Sequence, residues 1–122
     1  MMNSLQMNEK KGGYYEIFDN FIDWVFEIDK KGKIFYSNGI VKTLLKFDKE
    51  EVLNSFFYDF ISNDEVEKIK NKLNNILINN ESALFETTLI DKNNNKIFVE
   101  ISVNSFSIEI SRNNLFICVC RD

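Results

Sequence analysis

Apolar and polar residues alternate with period two over Trp24–Asp29, where Val25 and Glu27 oppose Phe26 and Ile28, and the strand pattern resumes at Ile34–Tyr36. Lys30-Lys31-Gly32-Lys33 lies between, and Gly32 is free to take positive φ, so the two runs predict a β-hairpin. Upstream, Tyr14, Ile17, Phe18, Phe21 and Ile22 recur at spacings of three and four. That period predicts an amphipathic helix of about two to three turns running straight into the first strand. Downstream, Ser37-Asn38 offers side-chain oxygens to cap a helix beginning near Gly39, whose apolar positions are Ile40, Val41, Leu44 and Leu45. Asp48 with Glu51 three residues on reads as a capping box for another short helix, which Asn54 ends in the left-handed conformation. After the aromatic-rich connector Phe56–Ile61, Asn63 is expected to cap a longer helix, with Asp64 and Glu65 in its first turn favouring the positive end of the dipole. Val66, Ile69, Leu73, Ile76 and Leu77 give that helix one apolar stripe, and Asn79-Asn80 end it.

Three more strands follow. Phe85, Thr87 and Leu89 alternate against Glu86, Thr88 and Ile90, and Asn93-Asn94-Asn95 forms the turn. Ile97, Val99, Ile101 and Val103 then oppose Phe98, Glu100, Ser102 and Asn104, and Leu115–Arg121 follows the Ser111–Asn114 loop. The order β-β-α-α-α-β-β-β predicts an α+β fold, a five-stranded antiparallel sheet with helices packed on one face and an amphipathic helix before it. Residues 1–12 lack periodicity and read as a disordered leader or linker, and 13–122 as a single domain.

Composition narrows the function. A hydrophobic share of 44% with twelve Phe fills one core without metal or disulfide. The net charge of −4 is interspersed and no basic stripe carries interleaved aromatics, which argues against nucleic acid as a partner. The apolar run Leu115–Cys120 is far short of the roughly 20 residues a membrane span requires, and the first residues lack a signal-peptide core. A cytoplasmic domain is expected, whether free or part of a membrane-anchored sensor. Cys118 and Cys120 lie two apart on one strand, poorly placed for a disulfide, and without His they cannot complete a four-ligand zinc site. They read as buried small apolar side chains, with a redox-responsive thiol pair as the alternative. With no His, no Gly-rich phosphate loop and no nucleophile beside a base, the chain reads as non-catalytic. Alternation puts the carboxylates Glu27 and Glu86 on the exposed side of the sheet.

Several segments, in order, resemble the PAS sensory domain from about Tyr14 to Asp122. Ile28-Asp29-Lys30-Lys31-Gly32-Lys33-Ile34 is similar to the family's first-hairpin "hydrophobic-Asp-x-x-Gly" run, and Tyr36-Ser37-Asn38 to its strand-end Asn. Lys46-Phe47-Asp48-Lys49-Glu50-Glu51-Val52-Leu53 resembles the "Gly-Tyr-Ser-x-Glu-Glu-Leu" segment, with Asn54 where the family usually has Gly. Ser62-Asn63-Asp64 resembles the "His-Pro-Glu-Asp" helix start without its His, and Arg121-Asp122 the opening of the "Asp-Ile-Thr" motif. The resemblance implies sensing and coupling. PAS domains bind a small ligand or cofactor between sheet and helices, or serve as dimer contacts, and pass a change to an attached histidine kinase, cyclic-di-nucleotide enzyme, chemoreceptor or transcription regulator. It also implies that Arg121 and Asp122 relay strain from the last strand to a departing helix; the other reading is two solvated charges.

Each cofactor class can be tested against residues. Haem in this family is usually ligated by His, and the chain has none. Light-oxygen-voltage flavin needs a reactive Cys where Asn54-Ser55-Phe56-Phe57-Tyr58-Asp59 stands, and Asn at sheet positions occupied here by Leu89 and Val99. A noncovalent redox flavin has only Trp24 to suggest it, and Trp24 reads better as a core aromatic. The ligand-pocket candidates are Asn38, Leu44, Phe47, Phe57, Phe60, Thr87, Leu89, Val99, Ile101, Phe116, Cys118 and Cys120. This wall is apolar with Thr87 its main polar group, so a closed core without cofactor is expected, or an apolar metabolite. Asn38 reads as a helix cap or as a ligand's hydrogen-bond partner. The leading helix and a sheet face exposing Ile90, Phe98, Ile117 and Val119 suggest a homodimer, and a purely structural dimerisation module is the rival to a sensor.

Overall fold

The computed structural model describes residues 17–106 and 115–122; the expectations for the leader 1–12, for Tyr14 and for the 111–114 loop lie outside them. The chain forms β1 (Trp24–Ile28), β2 (Ile34–Ser37), α1 (Ile40–Leu45), α2 (Lys49–Val52), a 3-10 turn (Phe57–Phe60), α3 (Val66–Asn79), β3 (Ala83–Ile90), β4 (Lys96–Phe106) and β5 (Leu115–Arg121). The five strands make one sheet in the order β2-β1-β5-β4-β3, and every neighbouring pair is antiparallel.

Both tight turns are built by an aspartate. Asp29 Oδ1 accepts the amides of Lys31 and Lys33, each at 2.9 Å, while Gly32 takes φ +87°. A Cβ at Gly32 would lie 2.9 Å from Tyr58 Cε2, so close packing and backbone both require glycine there. In the β3–β4 turn, Asp91 Oδ1 accepts the amides of Asn93 and Asn95 at 2.9 and 2.8 Å, and Asn94 takes φ 70°. The outer edge of β2 is covered rather than open. Ile34 exchanges backbone bonds with Asn54 and Ser55, both at 2.8 Å, and the amide of Phe57 reaches Gly32 O at 2.9 Å.

Trp24, Phe26 and Ile28 of β1, Phe85 and Leu89 of β3, Val99, Ile101 and Val103 of β4, and Phe116, Cys118 and Cys120 of β5 face one core. Ile69, Leu73, Ile76 and Leu77, the expected stripe of α3, close it from the helical side. Asn54 (φ 66°) and Asn80 (φ 56°) end α2 and α3 in the left-handed region. In the capping box of α2, Glu51 Oε1 accepts the Asp48 amide at 3.1 Å.

Four local expectations are corrected. The residue before α1 is Gly39 without a side-chain cap, because Ser37 and Asn38 bond elsewhere. The α3 helix starts at Val66 with Glu65 before it, not Asn63. There Ser62 Oγ donates to Asp64 Oδ1 and the Glu65 amide to Ser62 O, closing a turn ahead of the helix. The helix before β1 does not run into the strand. Residues 17–19 are helical, and Phe21 and Ile22 lie past its end, exposed. Finally, Glu27 is on the outer face as alternation requires, yet it is only 1% exposed.

Candidate functional site

The inner sheet face and its helical roof bring together nearly all of the sequence-derived pocket residues. Phe57, Phe60, Leu89, Val99, Ile101, Phe116, Cys118 and Cys120 are buried in the core, with Leu44 and Phe47 packed against it and half-buried. Trp24 stacks on Phe26 with centroids 4.1 Å apart, Phe26 stacks on Phe57 at 5.1 Å, and Phe60 meets Trp24 and Phe47 edge-on at 6.4 and 5.3 Å. Trp24 is thus a core aromatic, its Nε1 donating to Ser37 Oγ at 2.9 Å.

Polar groups at this wall are few. Thr87 Oγ1 donates to Glu65 Oε1 at 2.9 Å, so α3 is tied at its start to the middle of β3. Tyr58, absent from the sequence-derived site, carries a buried hydroxyl with no hydrogen-bond partner among the described residues, and burial raises its pKa. Of the aromatic run Phe56–Phe60 the sequence singled out Phe57 and Phe60, which are buried, but not Tyr58, whose ring the 3-10 turn sets against Gly32. Burial also pushes the Cys118 and Cys120 thiols up. Both are free, buried and protonated at neutral pH, far from the electropositive setting of a reactive cysteine.

Asn38 is turned away from the wall. Its Oδ1 accepts the Val25 amide at 3.1 Å, and Nδ2 donates to Phe18 O and Asp23 O, each at 2.9 Å. It neither caps α1 nor faces the core; it fastens the segment leading into β1. On the outer face, Tyr36 Oη donates to Asp19 Oδ1 at 2.9 Å, and burial followed by Asp19 pushes the phenol pKa up. Phe98 (73% exposed) and Leu84 (62%) stand open on this face, with Ile90, Ile117 and Val119 half-buried.

The two ends of the domain meet. Trp24 pairs with Cys120, which sets Asp23 beside Arg121. Arg121 Nε and Nη2 reach Asp23 Oδ2 at 3.4 and 3.3 Å. Asp23 carried no sequence signal, because only the placement of β5 beside β1 gives it a partner. Asp122 follows, exposed. Among the described residues no three His, Cys, Asp or Glu side chains gather as a metal site, and no helix is long and apolar enough to cross a membrane.

Comparisons agree with this geometry. The sequence model of the family described as PAS fold matches residues 13–122. The PAS domain of an HTR-like protein from Haloarcula marismortui is 22% identical with TM-score 0.77, covering 96% of this chain and 94% of that one. A PAS domain from Colwellia psychrerythraea is 18% identical with TM-score 0.79, covering 91% and 94%. A domain of a sensory box sensor histidine kinase/response regulator from Geobacter sulfurreducens is 19% identical with TM-score 0.73, covering 95% and 96%. At these identities the likeness is one of fold. No curated protein matches the sequence.

Proposed function

Because the chain belongs to the PAS family, we propose that it is a signalling domain that works as a pair of copies and passes a change through the end of β5 to an effector outside this chain, such as a histidine kinase. The observation that carries this reading is the division between the two sheet faces. The inner face is filled by its own aromatic side chains, whereas the outer face leaves Phe98 and Leu84 in solvent. Phe98 lies two residues along β4 from Glu100, the register partner of Arg121, so this exposed ring is beside the end of β5, with Leu84 across the Glu86–Glu100 row. A second copy related by a twofold axis would cover it with the same residues and bring two departing segments together. Arg121 and Asp122 are the relay candidates. In the protein that joins this domain to its effector, Asp122→Ala is expected to uncouple the output while leaving the domain's melting temperature unchanged. Regulation that persists in that variant contradicts the relay.

A second reading, a sensor of a small apolar metabolite, is favoured by one observation, the buried Tyr58 hydroxyl beside the apolar wall. Native mass spectrometry of gently purified domain separates the two. A co-purified small molecule supports the sensor, and bare protein supports the pairing module. The visible absorption spectrum is expected to lack haem and flavin bands.

A further inference from the structure

Arg121 lies between two carboxylates on one face of the sheet. On the β1 side both of its contacting nitrogens converge on a single oxygen, Asp23 Oδ2, at 3.4 and 3.3 Å, long for charge-assisted hydrogen bonds. On the other side the β4–β5 register sets Arg121 directly opposite Glu100. Residues directly opposed in an antiparallel pair have Cα atoms about 4.5–5.5 Å apart, well within the reach of a guanidinium. Glu100 is itself opposite Glu86 on β3, and like charges directly opposed destabilise a sheet. The same outer face therefore offers the guanidinium two acids, one of them already facing another acid. Asp23 is also where the lead-in segment is fastened, since its carbonyl accepts from Asn38 Nδ2 at 2.9 Å.

We propose that Arg121 is a two-position latch. On Asp23 it ties the end of β5 to the segment leading into β1; on Glu100 it releases that tie, leaving the segment to Asn38 and Tyr36, and offsets one charge of the acid pair on β3 and β4. A displacement of the end of β5 then changes the mobility of the segment leading into β1, with little change to the core. The biological use of the latch rests on the relay proposed above, but its geometry stands apart from it.

Amide hydrogen exchange on this chain, followed by NMR, tests the latch. The amides of Asn20 and Phe21, which donate to Ile17 O and Phe18 O, report on the lead-in segment, and the amide of Ile101 reports on the core. Arg121→Gln is expected to speed exchange at Asn20 and Phe21 about two- to five-fold, the range of a partly exposed ion pair, with Ile101 unchanged. Glu100→Gln is expected to slow the same amides, because the competing acid is gone, and to do nothing further in the Arg121→Gln background. No response to Arg121→Gln overturns the fastening. No response to Glu100→Gln, or the same response with Arg121 absent, overturns the second position. If these exchange changes appear while the output of the longer protein ignores Asp122→Ala, the relay fails and the latch stands.

Discussion

Asn38 makes three hydrogen bonds with one side chain and leaves none to the start of α1. Its replacement by Ala strands a buried amide and two carbonyls, each unsatisfied group costing about 1–3 kcal/mol unless water reaches it. We expect Asn38→Ala to lower stability by about 2–4 kcal/mol in urea unfolding, and Asn38→Asp, which would set a buried carboxylate oxygen against those two carbonyls, to cost at least as much. The residue type was legible in the sequence as a bonding Asn at a strand end. Its partners were not, because a cap is a local idea and Phe18, 20 residues upstream, comes near only through the fold. Gly32 is a simpler case. Its positive φ was legible from the hairpin pattern, but the ring of Tyr58 behind it was not. Gly32→Ala is expected to cost about 1–3 kcal/mol, measured the same way.

At the scale of elements, period decided most of the outcome. The alternation in β1, β3 and β4, the stripe of α3, the capping box of α2 and the left-handed Asn54 and Asn80 all stand where the residue pattern puts them. The misses are at boundaries where side chains bond outside their own element. Ser62 and Asp64 bond each other and delay α3, and Asn38 takes two carbonyls of the lead-in segment, whose helix ends although Phe21 and Ile22 continue its period. Glu27 obeyed alternation but not exposure, because at β1 the outer face of the sheet is covered. Among the helical elements, the 3-10 turn carries the ring that links roof to sheet. Phe57→Ala removes a side chain stacked on Phe26 at 5.1 Å and is expected to cost about 3–5 kcal/mol in urea unfolding. A loss below about 1 kcal/mol would mean the aromatic core is not packed as described.

For the whole molecule, the titrating groups define a pH window. The backbone amide of Asn95, aided by its side chain, holds the Asp91 carboxyl below the ordinary range, the Ser62 hydroxyl does the same for Asp64, and Lys42 and Lys92 do so for Asp48 and Glu51. A lowered native pKa means the unfolded chain takes up protons first, so stability is lost as pH falls below about 4. Tyr36, Tyr58, Cys118 and Cys120 are shifted up by burial. Their unfolded counterparts release protons first, so stability is also lost as pH rises above about 8.5. Melting temperature is therefore expected to plateau between these limits and fall on both sides. The inner wall was largely legible in the sequence, residue by residue, whereas the junction of Asp23 with Arg121 was not, since it exists only once β5 is inserted between β1 and β4. The claim that the domain works as paired copies is tested most directly by sedimentation equilibrium of the wild-type chain beside Phe98→Glu. The account predicts a wild-type dimer at tens of micromolar, by order of magnitude, and a monomeric variant with an unchanged melting temperature. A monomeric wild type, or a variant that still pairs, would contradict it.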